Sequence, residues 1–257
     1  MTVSYDYRGK TVLVTGGTKG IGAGIARAFL SAGADVVVCA RKDPGEAPHV
    51  EHDYGKRSAS FLPCDVRDPE DVARTVEAVI ARHGRLDVVV NNAGGSPYAL
   101  ASDASPRLHQ RVIELNLLGP LHVAQAARTV MDEGAIIMIG SVSGTRPSPG
   151  TAAYGAAKAG LHHLGACLAA EWAPRVRVNS LVVGLIESGD DQAEHYGGEE
   201  AMKAIRQTIP ARRMAVPDDV ARACLYLGAE PFVTGTTLTI DGGGEQPAWN
   251  YIAQQHL

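Results

Sequence analysis

No stretch of this chain approaches the ~20 consecutive apolar residues that a helix needs to cross a bilayer, so no membrane-spanning segment is expected. The opening residues, Met1-Thr2-Val3-Ser4-Tyr5-Asp6-Tyr7-Arg8, lack the charged-then-apolar pattern of a secretory leader, and the cytoplasm is the expected location. Positive charge is not in excess either: 24 Lys and Arg stand against 28 Asp and Glu, a formal net charge of −4. That removes the basic footprint that binding to nucleic acid or an anionic membrane requires. Cysteine is sparse. Cys39, Cys64, Cys167 and Cys224 are scattered, none is spaced as a zinc or thiol-redox pair, and all four read as small core residues. No metal site and no disulfide are expected. Internal repeats, low-complexity tracts and a credible linker are also missing, so residues 1–257 are expected to form one domain. What is present is an ordinary globular composition, 45% apolar and 20% charged, with Gly and Ala plentiful.

The run Lys10-Thr11-Val12-Leu13-Val14-Thr15 is apolar and β-branched and reads as a buried strand. It leads directly into Gly16-Gly17-Thr18-Lys19-Gly20-Ile21-Gly22. A helical pattern follows from Ala23 to Ala32, with Ile25, Ala28, Phe29 and Ala32 on one face, and then a second strand, Asp35–Ala40. Strand, glycine turn, helix and strand within about 30 residues form the setting in which a glycine motif binds a dinucleotide. Gly16 permits the tight turn, Gly20 and Gly22 allow close approach to a pyrophosphate, and the helix start offers N–H groups and a positive dipole end. Further strands are expected near Ser60–Pro63, Leu86–Asn91, Ala135–Gly140, Val176–Val182 and Leu238–Ile240. Helices are expected near Pro69–His83, Leu108–Val130, Ala152–Trp172 and Pro217–Leu227. The fold class is therefore α/β: a doubly wound, Rossmann-type, seven-stranded parallel sheet with helices on both faces. Ligand belongs beyond the carboxyl ends of the strands, where Gly16, Asp65, Asn91 and Ser141 all fall.

Tyr154 and Lys158 are four residues apart, so on a helix they project from one face. A nearby fixed cation favours the phenolate and brings a tyrosine, whose pKa is ordinarily about 10, toward the working range of an acid–base catalyst. Ser141 can then hydrogen-bond a substrate oxygen held before the phenol.

The spacing Gly-x-x-x-Gly-x-Gly, with Asn91-Asn92-Ala93-Gly94, Asn116, Ser141 and Tyr154-x-x-x-Lys158, resembles the short-chain dehydrogenase/reductase family from Gly9 to about Gly243. The resemblance implies an NADP(H)-dependent oxidoreductase that moves hydride between nicotinamide and a secondary alcohol or ketone, such as a 3-oxoacyl or steroid-like compound. Family members that run epimerisation or dehydration, and non-catalytic cofactor-sensing regulators, are the alternatives. Asn116, Ser141, Tyr154 and Lys158 are implied to be catalytic, with no metal. The implied cofactor contacts are Gly16, Thr18, Lys19, Gly20, Ile21, Gly22, Arg41, Asp65, Val66, Asn92, Ala93, Gly94, Tyr154, Lys158, Gly184, Ile186 and Ser188. NADP(H) is favoured over NAD(H) because Cys39-Ala40-Arg41-Lys42 carries no acid where NAD-preferring relatives have one, and Lys19 adds a second cation in the glycine loop. Asp65 also reads as an acid near a helix start, although Asp68 before Pro69 already suits the N-cap. Val183 stands where the family usually has proline, and Ser188, which also reads as an N-cap, stands where it has threonine. Residues 187–208, with His195, resemble the substrate lid. His162 and His163 are assigned to packing or an interface, without chemistry. The small residues of Ala152–Trp172 and the ending Val233–Gly243 resemble the family's two assembly surfaces, which implies a homotetramer, with a dimer as the fallback. Trp249 and Tyr251 are then expected to pack on a neighbouring subunit.

Overall fold

A computed structural model describes residues 4–52, 55–187 and 198–245. Its main sheet holds seven parallel strands: β1 (Thr11–Thr15), β2 (Asp35–Ala40), β5 (Ser60–Pro63), β6 (Val88–Asn91), β7 (Gly134–Ile139), β8 (Val176–Val183) and β9 (Thr237–Ile240). They lie in the order β5-β2-β1-β6-β7-β8-β9. The chain thus builds outward from β1 in one direction and then returns to build in the other, and the order reverses between β1 and β6. β1 is central, paired with β2 from Thr11↔Asp35 to Thr15↔Cys39 and with β6 from Val12↔Val88 to Val14↔Val90.

The near-continuous apolar strands are explained by burial on both faces. Alternate residues feed two cores. Val12 and Val14 join one core with Phe29 of α1 (Gly20–Ser31) and with Val220, Cys224 and Leu227 of α7 (Pro217–Ala229). Leu13 joins the other, which contains Val72, Val76 and Val79 of α2 (Pro69–His83), Val123 and Ala127 of α4 (Gly119–Val130), and Leu161 of α5 (Ala152–Trp172). Within the first core Phe29 meets Tyr7 edge-on, with ring centroids 4.8 Å apart, and the Tyr7 hydroxyl donates to Leu225 O at 2.6 Å.

Local chemistry sets the ends of α2 as the sequence suggests. Asp68 caps it by accepting from Glu70 N and Asp71 N, Pro69 opens it, and Gly84 ends it at φ +73°. Two differences stand out. The expected helix Leu108–Val130 is α3 (Pro106–Ile113), a single π turn at Glu114–Leu118, and α4. Ser105 caps α3, so the helix begins two residues earlier than expected. Pro120 lacks the N–H that would bond the carbonyl of residue 116, and the ladder shifts there: Gly119 N bonds Glu114 O instead. The second difference is an unexpected antiparallel pair outside the main sheet, β3 (His49–His52) with β4 (Gly55–Ser58). Their sequences are mostly polar and show no clean alternation, which hid them. α6 (Glu199–Thr208) lies within the segment expected to form the lid.

Candidate active site

β1 stops at Thr15, and the chain turns at Gly16 with φ +61°. Glycine is needed at position 22 for a different reason: a Cβ there would run into the Gly16 carbonyl and the Asn92 amide. The end of β6 is tied to this turn. Thr15 Oγ1 accepts the N–H of both Asn92 and Ala93 at 3.0 Å. The Asn92 side-chain amide donates to the carbonyls of Thr15 (2.9 Å) and Gly16 (3.1 Å). α1 then starts at Gly20, earlier than the apolar pattern suggests, with Lys19 at its N-cap. No side chain caps it and no acid occupies its first turn. Its free N–H groups and positive dipole end therefore face outward.

In front of them lies a cavity of about 600 Å³. Its wall contains Gly16, Thr18, Lys19, Gly20, Ile21, Gly22, Arg41, Asp65, Val66, Asn92, Ala93 and Gly94, together with Cys39, Ala40, Cys64 and Leu115. The last four were not among the cofactor contacts expected from sequence. Cys39 and Cys64 are core residues as expected, yet they also reach the cavity from the neighbouring ends of β2 and β5. Their thiols meet, and the hydrogen bond with Cys64, ahead of burial, holds the Cys39 thiol well above its ordinary pKa. The carboxylate in the wall, Asp65, is engaged by Arg67, whose Nε donates to Oδ1 at 2.9 Å, and this holds Asp65 below the usual carboxylate range. Capping of α2 falls to Asp68 and not to Asp65. Arg41 and Lys19 are exposed cations at the cavity wall.

Asn116 and Lys158 meet across Gly94, which also lines the cavity. A Cβ on Gly94 would lie 2.7 Å from Asn116 Oδ1 and 3.2 Å from Lys158 Nζ, so its absence lets the three groups close up. Asn116 sits in the π turn and is fully buried. Its Oδ1 accepts from Gly95 N at 2.9 Å, and its Nδ2 donates to Gly95 O and Val112 O, both at 2.9 Å. Lys158, only 3% exposed, donates from Nζ to Ile139 O at 2.8 Å, and Nζ lies 5.6 Å from the centre of the partly buried Tyr154 ring. Burial pulls the Lys158 pKa down to about 8, because the charged form loses its water. Ser141 follows β7. Its Oγ accepts from Ser143 N at 3.2 Å, which leaves the hydroxyl its own O–H as donor.

Residues 16–245 match the family model described as enoyl-(acyl carrier protein) reductase. The chain is 34% identical over 255 residues to the sorbose reductase of Schizosaccharomyces pombe, covering 95% of this chain and 98% of that protein. It is 36% identical to 3beta-hydroxysteroid dehydrogenase 1 of Eggerthella lenta, over 93% of this chain and 94% of the other. The ligand-free structure of Thermoplasma acidophilum aldohexose dehydrogenase superimposes with a TM-score of 0.84 at 28% identity, over 92% of this chain and 94% of that one. The chain belongs to the short-chain dehydrogenase/reductase family.

As a short-chain dehydrogenase/reductase it is an enzyme that uses NAD(P) on CH–OH and C=O groups of small molecules. Gly184 and Ile186 lie past β8, on the same edge of the sheet but outside the cavity wall. Gly184 N donates to Ile240 O at 2.9 Å, and a Cβ on it would lie 2.7 Å from the Asp241 Cα. Ile186 bridges Ala215. Val183, at the usual proline position, simply continues the strand and pairs with Ile240. Ser188, His195, Trp249 and Tyr251 lie outside the described residues. No helix among the described residues is long and apolar enough to cross a membrane.

Proposed function

We propose that this enzyme is an NADP(H)-dependent reductase and dehydrogenase that interconverts a secondary alcohol and its ketone, with Asn116, Ser141, Tyr154 and Lys158 as its catalytic residues. The observation that carries this reading is the closure of Asn116 and Lys158 on Gly94, at the end of a cavity built on an uncapped helix start. That uncapped start fits the dinucleotide: first-turn N–H groups without a capping side chain suit a pyrophosphate, and Lys19 and Arg41 suit a 2′-phosphate that an acid would repel. Val66 and Asp65 would stand at the adenine, Asn92 to Gly94 along the ribose, and Gly184, Ile186 and Ser188 toward the carboxamide.

When bound, the nicotinamide supplies or accepts the hydride. In the reducing direction the Tyr154 hydroxyl gives its proton to the carbonyl oxygen as negative charge develops there. The Ser141 O–H hydrogen-bonds the same oxygen. Lys158 places its charge beside Tyr154 and, being buried, acts through a medium that screens it little. Asn116 holds the turn through Gly95 that keeps Gly94 against Lys158. All four groups that simple carbonyl reduction needs are present in the chain, which favours this reaction over epimerisation, dehydration or a regulator without activity.

The substrate class is a ketone or secondary alcohol. Relatives acting on sorbose, an aldohexose and a 3-hydroxysteroid widen the 3-oxoacyl and steroid-like candidates to sugars. We take residues 1–257 as one domain and residues 187–208 as the segment over the substrate. We also propose a homotetramer, with a dimer as the fallback. One supporting face is α5, where Ala152, Ala156, Ala159, His163, Ala166, Cys167 and Ala170 are exposed. The other is the edge strand β9, beside the fully exposed Phe232. Titrating NADPH and NADH against wild type and Arg41→Asp tests the cofactor preference: wild type binds NADPH more tightly, and the variant loses or reverses that preference. Tighter binding of NADH by wild type would overturn the charge argument. Oxidation of the reduced cofactor in the presence of a ketone panel tests the reaction class.

A further inference from the structure

We propose that His162 is a positioning residue for this reaction: its imidazole is lodged beneath the loop that carries Ser141, grips the backbone of that serine, and so aims its hydroxyl. From sequence, His162 has only a packing or interface role. In the structure it lies one turn past Lys158 on α5 and turns inward, whereas His163 faces out beside Cys167. The His162 Nε2 accepts the backbone N–H of Ser141 at 3.4 Å.

The loop is shaped to admit the ring. Residues 140–144 run Gly-Ser-Val-Ser-Gly, with a glycine at each end. A Cβ at Gly140 would run into Nε2, and one at Gly144 would meet Ala159 N at 2.6 Å and Lys158 C at 2.8 Å before Cε1 at 2.9 Å. Neither glycine has a positive φ, so close approach, and not backbone freedom, is what the structure gains from them: Gly140 makes space for the imidazole, and Gly144 lets the loop lie against the backbone of α5. With the ring in place every polar group of Ser141 has a neighbour. Its N–H has His162, its carbonyl accepts from Gly144 N at 2.9 Å, and its Oγ accepts from Ser143 N at 3.2 Å. A serine held at three points has little freedom left in its one side-chain torsion, which is the preorganisation that a hydrogen-bond donor to a developing oxyanion needs.

The contact needs a lone pair on Nε2, and therefore a neutral ring with its proton on Nδ1. An imidazolium would present a second donor to the Ser141 N–H and release the loop. Gly140, Ser141 and Gly144 face the ring from the loop, and none of them carries a charge. From its own helix Lys158 does. Burial, and secondarily the Lys158 charge, hold the His162 pKa below its ordinary value, which keeps the ring neutral at physiological pH.

The inference rests on the reading that Ser141 acts at the substrate oxygen, and the test separates the two. kcat, KM and the pH profile are measured for wild type, His162→Leu, His162→Gln and Ser141→Ala, with cofactor affinity measured separately. Removal of the acceptor in His162→Leu lowers kcat by roughly 10-fold or more and leaves cofactor affinity unchanged. In His162→Gln the amide oxygen reaches the Nε2 position and restores most of that loss. Because glutamine does not titrate, its kcat also holds to lower pH than that of wild type. Wild-type kcat in His162→Leu would overturn the proposal. If His162→Leu does not fold, an acid limb in His162→Gln identical to that of wild type would overturn it instead. A fully active Ser141→Ala would refute the role of Ser141 itself.

Discussion

At the scale of single residues, the site concentrates cost where it concentrates chemistry. Lys158 is a cation with almost no exposure, and its pKa of about 8 in the folded chain lies below the 10.4 or so of a free lysine. Between those two values the unfolded chain binds more protons, so this group's contribution to stability rises with pH across that window and its full cost is present below about pH 8. The depression corresponds to a cost of order 3 kcal/mol at neutral pH. Lys158→Met is therefore expected to melt higher than wild type near pH 7, to lose that advantage progressively from about pH 8 upward, and to lose turnover at every pH. Thermal melts across that range check it, and a Lys158→Met protein less stable than wild type at pH 7 would contradict the account. The residues proposed as catalytic were all named from the sequence, because Tyr154 and Lys158 are related by helix spacing and Asn116, Ser141 and the glycines match a family pattern. The place of Cys39, Cys64 and Leu115 in the cavity wall and the contact of His162 with Ser141 were not legible, because each side chain reads as ordinary packing until the strand ends and α5 are brought into register.

Among the elements, those with local punctuation were legible and those shaped by distant contacts were not. α2 runs from Pro69 to His83 as expected because Asp68, Pro69 and Gly84 mark both ends. α1 was expected from Ala23 but begins at Gly20. Helix propensity disfavours its opening glycines, yet contact with the end of β6 requires one of them. The same contact yields a prediction. Gly22→Ala places a methyl group against the Gly16 carbonyl of the turn and the Asn92 amide at the end of β6 that is tied to it, so the loop must shift. Cofactor affinity is expected to fall by at least ~10-fold, a loss of ~1.4 kcal/mol, while the far-ultraviolet circular dichroism stays that of the wild type. Unchanged affinity by calorimetric titration would contradict the packing described here. The π turn was hidden for a different reason. Apolar periodicity runs on through Leu108–Val130, and only the side chain of Asn116 and the missing N–H of Pro120 show why the helix is offset.

For the whole molecule, the main sheet and the two cores on its faces put the glycine turn, the end of β6 and the serine loop on a single edge, and the reversal of strand order between β1 and β6 opens the cavity there. The parallel sheet with helices on both faces follows from the alternation of strands and helices, which is why that much of the architecture was legible before any contact was known. Assembly is the remaining feature at this scale. The exposed small-residue face of α5 and the open edge at β9 with Phe232 are each expected to be buried against a second copy of the same surface under two-fold symmetry. Light scattering at micromolar concentration is expected to give four times the mass of one chain, or twice it as the fallback, and a monomer would contradict that expectation. The central claim is that this fold delivers a proton from Tyr154 to a carbonyl beside a bound nicotinamide. Its most direct test is Tyr154→Phe, assayed for NADPH oxidation with a ketone that the wild type reduces and, in parallel, for NADPH binding. The account predicts near-native binding and a rate reduced at least ~100-fold; a near-native rate would contradict it.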